Sequence, residues 1–521
     1  MNTFVAPAVE WAALTPVLIL LAAGVVGVLV EAFVPRTSRR AVQLVIGLLA
    51  TAGALVTVVW RWTVVADAGP IEVVGGSVIE DGPALAAQGI LALLGFVGLL
   101  VIADRTESGE GAFVAQAAAR PGSVDEADAT RAGFAQTEVY PLTLFALTGM
   151  LVFASAGDLL TLFIALEVLS LPLYVLSGLA RRRRLLSQEA SMKYFLLGAF
   201  ASAFMLFGIA LLYGFSGTVR LDGLAQAVPA TLGMDGMLLA GAVMVIVGLL
   251  FKVGAVPFHA WTPDVYTGAP TPVTGFMAAA TKLAAFAALL RFVYVVVPDL
   301  SWDLTPFFWA VIILTMLVGT VVGIVQTDVK RMLAYSSIAH AGFVLIGVIA
   351  LTQEGISSVL FYLLAYGLAT VGAFALVTLV RERDPAGHVT GEATHLSQWA
   401  GLGRRNPVAA VAMVVFLISF AGIPLTGGFI GKFAVFSAGI DGGATVLVVL
   451  AVLASAATAF FYVRLIVLMF FTEPDGETTA VVSSEGLTTV AVAVCAIGTV
   501  VLGVLPGPVL ELASQAAVFL P

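Results

Sequence analysis

The chain has 521 residues, 60% of them hydrophobic and only 11% charged, with a mean hydropathy of +1.07. No water-soluble domain has that balance, and apolar runs of about 20 residues rather than ten-residue alternating strands make it an all-α polytopic membrane protein. The net charge of −8 gives no basis for nucleic-acid binding, while the single cysteine, Cys495, excludes an internal disulfide and a cysteine-held iron–sulfur or zinc centre.

The N-terminus, MNTFVAPAVE, lacks a basic leader, and the first apolar run is long enough to span, so it reads as a retained helix. Fourteen spans are expected, at roughly 13–33, 41–60, 83–103, 138–156, 158–179, 189–214, 236–256, 273–297, 305–327, 331–351, 355–380, 408–438, 444–471 and 486–506. The seventh continues as a broken piece to about 268, and the twelfth is broken internally. This divides the chain into an N-terminal three-helix segment (1–103), a polar insert (104–137), two five-helix units (138–297 and 305–471) and a C-terminal loop and helix (472–521). The insert is acidic and reads as a partly disordered, solvated loop. The connector 382–407 is polar and has room for a short amphipathic helix.

Arginine clusters orient the chain. Arg36, Arg39 and Arg40 follow span 1, Arg181 to Arg184 follow span 5, Lys330 and Arg331 follow span 9, and Arg381, Arg383, Arg404 and Arg405 lie between spans 11 and 12. Loops after even spans carry few bases, namely Arg61 and Arg220. The positive-inside rule then puts the loops after odd spans in the cytoplasm and both termini outside.

Five helices per unit is an odd number, so the second unit is inverted relative to the first. The fourth helix of each is interrupted by glycine and proline, GAVPFHAWTPD in span 7 and GIPLTGGFIGK in span 12. Matching broken helices in two inverted halves mark the transport site of a secondary-transporter-like fold. Only five of the 24 basic residues are lysine: Lys193, Lys252, Lys282, Lys330 and Lys432. All but Lys330 fall inside apolar segments, where a charge costs about 2.5–3.5 kcal/mol even on the mild insertion scale. Arginine never gives up its proton, whereas a desolvated lysine does so readily. Codon bias explains the scarcity of lysine but not its placement.

Glu167, mid-span in TLFIALEVLSLPLY, and Lys193, early in the next helix, are expected to approach and offset each other's burial. Lys252, Lys282 and Lys432 have no acid in their own helices. His259, at the first break, is either a proton relay or a helix-end residue bonding to freed carbonyls. His340, among Tyr335, Ser336 and Ser337, is either part of a water-holding cluster between the halves or a satisfied core histidine. Asp264 is expected to cap the next helical piece, Glu189 to be interfacial, and Arg291 and Arg464 to snorkel to the membrane surface. His388 and His395 complete a set of four scattered histidines that forms no metal or haem cluster. No P-loop, dinucleotide fingerprint or nucleophile elbow occurs in a credible context.

The stretches FKVGAVPFHAWTPDVYTGAPTPVTGFM, DVKRMLAYSSIAHAGF, EASMKYFLLGAFAS and GIPLTGGFIGKF resemble the subunit N family of bacterial respiratory complex I, the proton-pumping NADH–quinone oxidoreductase, over about residues 138–471. The wording around His259 and the lysine at 432 favour subunit N over its paralogues L and M; subunits of multisubunit sodium/proton antiporters share the fold. The resemblance implies a plasma-membrane protein that moves protons along Glu167 and Lys193 (a modulating pair), Lys252 (the central input), Lys282 (a connector) and Lys432 (the exit), with His259 and His340 beside them. It implies no cofactor in this chain, with NADH, FMN, iron–sulfur clusters and quinone held by other subunits. It implies partners in subunit M and the small membrane subunits. One departure is Leu425 where the family often has a second proline after Pro424, which implies a milder second break.

The orientation has a direct test. A cysteine placed at Ser123 in the insert should resist an impermeant thiol reagent added to intact cells and react once membranes are inverted; strong labelling from outside would reverse the topology.

Overall fold

The computed structural model describes residues 9–520 except 107–108, 121–122, 133, 232, 384–388 and 475–478. Three helices, α1 (Trp11–Phe33), α2 (Arg36–Ala68) and α3 (Gly82–Ala103), open the chain. The short α4 (Val124–Arg131) lies in the insert. Next come α5 (Val139–Ser155), α6 (Leu159–Ser177), α7 (Arg184–Ser216), the short α8 (Leu221–Ala230), α9 (Asp235–Val253), α10 (Trp261–Gly268) and α11 (Thr271–Val296). The second half holds α12 (Ser301–Ile324), α13 (Val329–Val348), α14 (Gln353–Leu379), the one-turn α15 (Leu402–Arg405), α16 (Pro407–Ala421), α17 (Gly427–Asp441) and α18 (Thr445–Phe471). It closes with α19 (Leu487–Val504) and α20 (Gly507–Ala516). Among the described residues, twelve helices are long and apolar enough to cross a membrane, and α5 and α16 are shorter apolar helices.

The layering is set by polarity. The two least apolar candidate spans, α11 and α13, are almost wholly enclosed, together with α14, whereas the strongly apolar α1, α2, α18 and α19 show most of their surface. Hydrocarbon cannot satisfy a polar side chain, so the helices that carry them go to the centre and the purely apolar ones face outward. Close crossings depend on small residues. A Cβ on Gly149 of α5 would run into the Leu169 amide of α6, and one on Gly319 of α12 would lie 2.5 Å from the Ala339 amide of α13. Asp158 caps α6 through the Thr161 amide at 2.6 Å, and Asp328 caps α13 through the Arg331 amide at 2.9 Å. All three correspondences (149 with 319, 158 with 328, 169 with 339) carry the same offset of 170 positions.

Outside the bundle, β1 (Ile71–Val73) and β2 (Val78–Glu80) form an antiparallel hairpin. The connector after α14 folds as strands rather than as an amphipathic helix. Strands β3 (Val380–Arg383) and β4 (Val389–Glu392) pair, and β5 (Thr479–Val481) joins the free edge of β3, giving the order β4-β3-β5. Among the described residues there, the helical turns are a 3₁₀ turn at Leu396–Trp399 and α15. The described part of the insert is tied down rather than free, because its acids meet the arginine run. Glu110 pairs with Arg181 and Arg182, both at 3.1 Å, and Glu126 pairs with Arg184 at 2.9 Å.

Neither arginine expected to snorkel does so. Arg291 is buried in a bidentate pair with Asp81 at 2.7 and 2.8 Å, and Arg464 donates to the Ile324 and Gln326 carbonyls at the end of α12. Asp81, fully buried, also caps α3 and accepts the Leu520 amide, so one carboxylate joins α3, α11 and the C-terminal segment. Removing one partner of such a pair strands a buried charge at a cost of about 3–5 kcal/mol, while replacing both by apolar residues is near neutral. Asp81→Ala should therefore cut the steady-state level of the chain in membranes, read by immunoblot. Asp81→Ala with Arg291→Leu should recover much of it; no recovery would mean that the cap, not the stranded charge, dominates.

Candidate functional site

The two expected interruptions are present and built alike. After α9, Gly254 takes a left-handed conformation (φ 82°), and its amide and that of Ala255 both bond back to the Leu250 carbonyl. After α16, Gly422 does the same (φ 79°), with its amide and that of Ile423 returning to the Ile418 carbonyl. Glycine is required because a side chain pays heavily for that backbone region. Freed groups find partners nearby. The Trp261 indole donates to the Phe251 carbonyl at 2.8 Å, and Thr315 accepts the Val256 amide at 2.9 Å. At the second break Ser419 accepts the Gly428 amide at 3.1 Å. The second gap, between Ala421 and Gly427, is the shorter of the two, and Leu425 sits within it at φ 73°.

Lys252 is in the last turn of α9, just before the first break, and is buried. Its ammonium donates to the Ser170 hydroxyl at 2.8 Å and the Tyr194 hydroxyl at 3.0 Å. It also stands 4.9 Å from the Tyr194 ring centre, and that ring stacks on Trp261 at 4.6 Å. The aromatic wall gives a cation a favourable quadrupole without a fixed counter-charge. Glu167 lies one turn from Ser170 on α6, within electrostatic reach of Lys252, and accepts a 2.5 Å bond from Ser202.

Lys282 follows a π-helical turn, Met277–Thr281, inside α11. Such turns recur at functional sites because the extra residue re-aims the side chains that follow. The Lys282 ammonium donates to the Ser337 carbonyl at 2.5 Å and hydroxyl at 2.6 Å. One turn further along α13, His340 is bonded through both ring nitrogens, to the Tyr362 hydroxyl at 2.6 Å and the Tyr462 hydroxyl at 3.1 Å, and Tyr462 also bonds Ser336. Lys432, in α17, reaches back across the second break to the Phe420 and Ala421 carbonyls at 2.8 and 3.1 Å and to Ser455 at 2.7 Å. It thereby places a cation at the negative end of α16. Lys252, Lys282 and Lys432 thus share one kind of environment: buried, with only neutral oxygens in bonding distance.

Lys193 differs from them. It is ion-paired to Glu189 and Asp264, each at 2.7 Å, and is well exposed on the flank of the bundle. The expected pairing with Glu167 is not formed. Glu167 is level with Ser202, nine residues beyond Lys193, which is about 13 Å along the axis of α7 at 1.5 Å per residue. Sequence reasoning missed the partner. Asp264 is not a helix cap but a bridge between Lys193 and Arg331, at 2.8 Å from the latter. The signal was the one carboxylate in the WTPD stretch, beside two cations on other helices. His259 is half-buried in the first break, its ring against the Pro257 carbonyl and its Nδ1 without a partner. Among the described residues no group of three or more His, Cys, Asp or Glu is placed to hold a metal ion.

Residues 156–458 match the family described as NADH:quinone oxidoreductase/Mrp antiporter, TM. The sequence is 66% identical over 527 residues to NADH-quinone oxidoreductase subunit N of Beutenbergia cavernae, covering 99% of each chain. The chain belongs to the NADH–quinone oxidoreductase subunit N family. Its structure is similar to a chain of respiratory complex I from Thermus thermophilus solved with bound aureothin, at 32% identity and a TM-score of 0.76 over 96% of this chain and 99% of that one. A chain of the Mrp complex from Dietzia sp. shares the fold at 22% identity and a TM-score of 0.77, over 97% and 96% of the two chains.

For a subunit N chain the Tyr194 hydroxyl can be tested alone, because Tyr194→Phe keeps the stack on Trp261. Losing a hydrogen bond to a charged group is worth about 1.5–3 kcal/mol. NADH-driven proton uptake by inverted vesicles should fall about tenfold or more, a barrier change of about 1.4 kcal/mol, at unchanged subunit level.

Proposed function

We propose that this chain is a proton-translocating membrane subunit of NADH–quinone oxidoreductase, passing protons along Lys252, Lys282, His340 and Lys432, with Glu167 biasing Lys252 electrostatically from α6. The observation that carries the reading is the run of buried lysines with neutral partners between two like-built helix breaks. Lys193 with Asp264 and Glu189 forms a charged flank to that run, and His259 stands at the first break. The electron-transfer groups (FMN, iron–sulfur clusters, the NADH and quinone sites) belong to other subunits in this reading. Subunit M and the small membrane subunits cover the apolar outer helices. The common offset of 170 positions supports two inverted five-helix repeats, 138–297 and 305–471, between the segment 1–103 with its insert 104–137 and the closing segment 472–521. Counting α5 and α16–α17 as crossings gives fourteen spans in a bacterial plasma membrane, with both termini outside.

Arginine at 252 keeps the positive charge but cannot release its proton. Lys252→Arg should assemble to normal levels on blots yet lose most NADH-driven proton uptake into inverted vesicles, as should Lys252→Met. If the arginine variant assembles and pumps at the wild-type rate, Lys252 is a fixed charge and the mechanism is wrong.

A further inference from the structure

A cavity of about 920 Å³ opens at the end of the bundle that carries the arginine-rich loops. Its wall is made by the insert, the arginine run before α7, the corner between α10 and α11, and the β4-β3-β5 sheet. Three carboxylates face it. Glu110 is tied to Arg181 and Arg182, and Glu382 lies 3.8 Å from Arg183 and accepts from Gln398 at 2.8 Å. Glu392 alone has no arginine within ion-pair distance. It accepts a short hydrogen bond from the Thr271 hydroxyl and stands 3.9 Å from Lys330.

Lys330 forms the floor. Its side chain is 3% exposed and donates to the Ala269 carbonyl and the Thr271 hydroxyl, both at 2.9 Å. Thr271 therefore touches both the carboxylate and the ammonium. From this point two helices lead inward to the same place. Thr271 starts α11, which carries the fully buried Thr274 one turn on and then Lys282. Lys330 starts α13, which carries Ser337, the residue that holds Lys282, two turns on at the same face.

We infer that this cavity is the aqueous inlet for protons, with Glu392 as the collecting carboxylate and Thr271 and Lys330 as the first relay toward Lys282. The inference rests on the proton-translocation reading and adds its point of entry. In the step, Glu392 takes a proton from cavity water. The Thr271 hydroxyl gives its own proton to the neutral amine of Lys330 and receives the one on Glu392, which leaves Glu392 ionised and Lys330 as ammonium. No net charge is created beyond the one proton that entered. The charged groups facing this site are Lys330 of α13 and its cap Asp328, Arg181, Arg182 and Arg183 before α7, Arg381, Glu382 and Arg383 of β3, and Glu110 of the insert. Arginine keeps its charge through the cycle; Glu392 is the cavity carboxylate that has no arginine beside it.

Two experiments on the assembled complex in inverted vesicles, whose outer surface is then the cavity side, test this. Thr390→Cys puts a thiol on the cavity wall, two residues before Glu392 on β4, and should pump normally until modified. A bulky cationic methanethiosulfonate should then abolish most NADH-driven proton uptake, with subunit levels unchanged. In parallel, Glu392→Gln should lower uptake most steeply at alkaline pH, where collecting a proton limits the rate, by about tenfold per 1.4 kcal/mol of lost driving force, and Glu392→Asp should restore the wild-type profile. A purely structural role would lower uptake equally at every pH. Wild-type pumping by both modified Thr390→Cys and Glu392→Gln, with Lys252→Arg inactive, would place the inlet elsewhere and leave the translocation reading standing. Wild-type pumping by Lys252→Arg as well would remove the translocation reading itself.

Discussion

The structure depends on one constraint: an ammonium group inside a membrane must be satisfied, yet must not be trapped. A lysine in hydrocarbon is costly, and the simplest remedy is a carboxylate in contact. Lys252, Lys282 and Lys432 are not given one. They are held by Ser170 and Tyr194, by Ser337, and by Ser455 with two backbone carbonyls. Hydroxyls and carbonyls serve an ammonium well and a neutral amine tolerably, since a hydroxyl can turn round and donate. A carboxylate in direct contact would favour the charged form only.

That choice explains the two helix breaks. Backbone carbonyls supply oxygens without supplying charge, and a helix end leaves more of them free than a helix interior does. Ending α16 at Ala421 frees the carbonyls that Lys432 occupies. Ending α9 at Val253 places Lys252 in a final turn whose own carbonyls are partly consumed by Trp261 and by the glycine cap. The breaks are alike in backbone and unlike in use, with the lysine before the gap in one and after it in the other. Under the common offset, Ser170 falls opposite His340 and Glu167 opposite Ser337. Ser170 holds Lys252 and Glu167 stands one turn from it in one half, while Ser337 holds Lys282 and His340 joins the tyrosine cluster in the other.

Much of this was legible in the sequence, because the rare residues carry the information. The scarcity of lysine, its position in apolar runs, and the two Gly/Pro interruptions pointed to the site and to both breaks. The span positions followed from length and hydropathy. What the sequence could not supply was the pairing of groups on different helices. Glu167 and Lys193 lie on adjacent antiparallel helices, which suggested contact, but helical rise separates them by more than two turns, and the carboxylate that reaches Lys193 comes from α10. Arg291 and Arg464 looked like snorkelling residues because their partners, Asp81 and the end of α12, are far away in sequence. The π turn before Lys282 leaves no trace in a run of alanines.

The five lysines fall into distinct environments, and the difference bears on how charge can move. Lys193 sits between two carboxylates, so its charge is fixed and it acts as a positive post beside Tyr194, which contacts Lys252. Lys330 has one carboxylate just beyond bonding distance, a weaker hold. The three central lysines have none in contact. A positive charge on any one of them raises the cost of charging the others in a medium of low dielectric, where like charges interact over several residues' length. Neighbouring lysines are then most favourable in alternating states, and in the proposed translocation the arrival of a proton at one end pushes another along. An acid at each lysine would remove that coupling by neutralising every site locally. Glu167 stands one turn along α6 from Ser170, the hydroxyl that holds Lys252, and its own bond goes to Ser202; in the proposed translocation this lets it bias Lys252 without pairing with it.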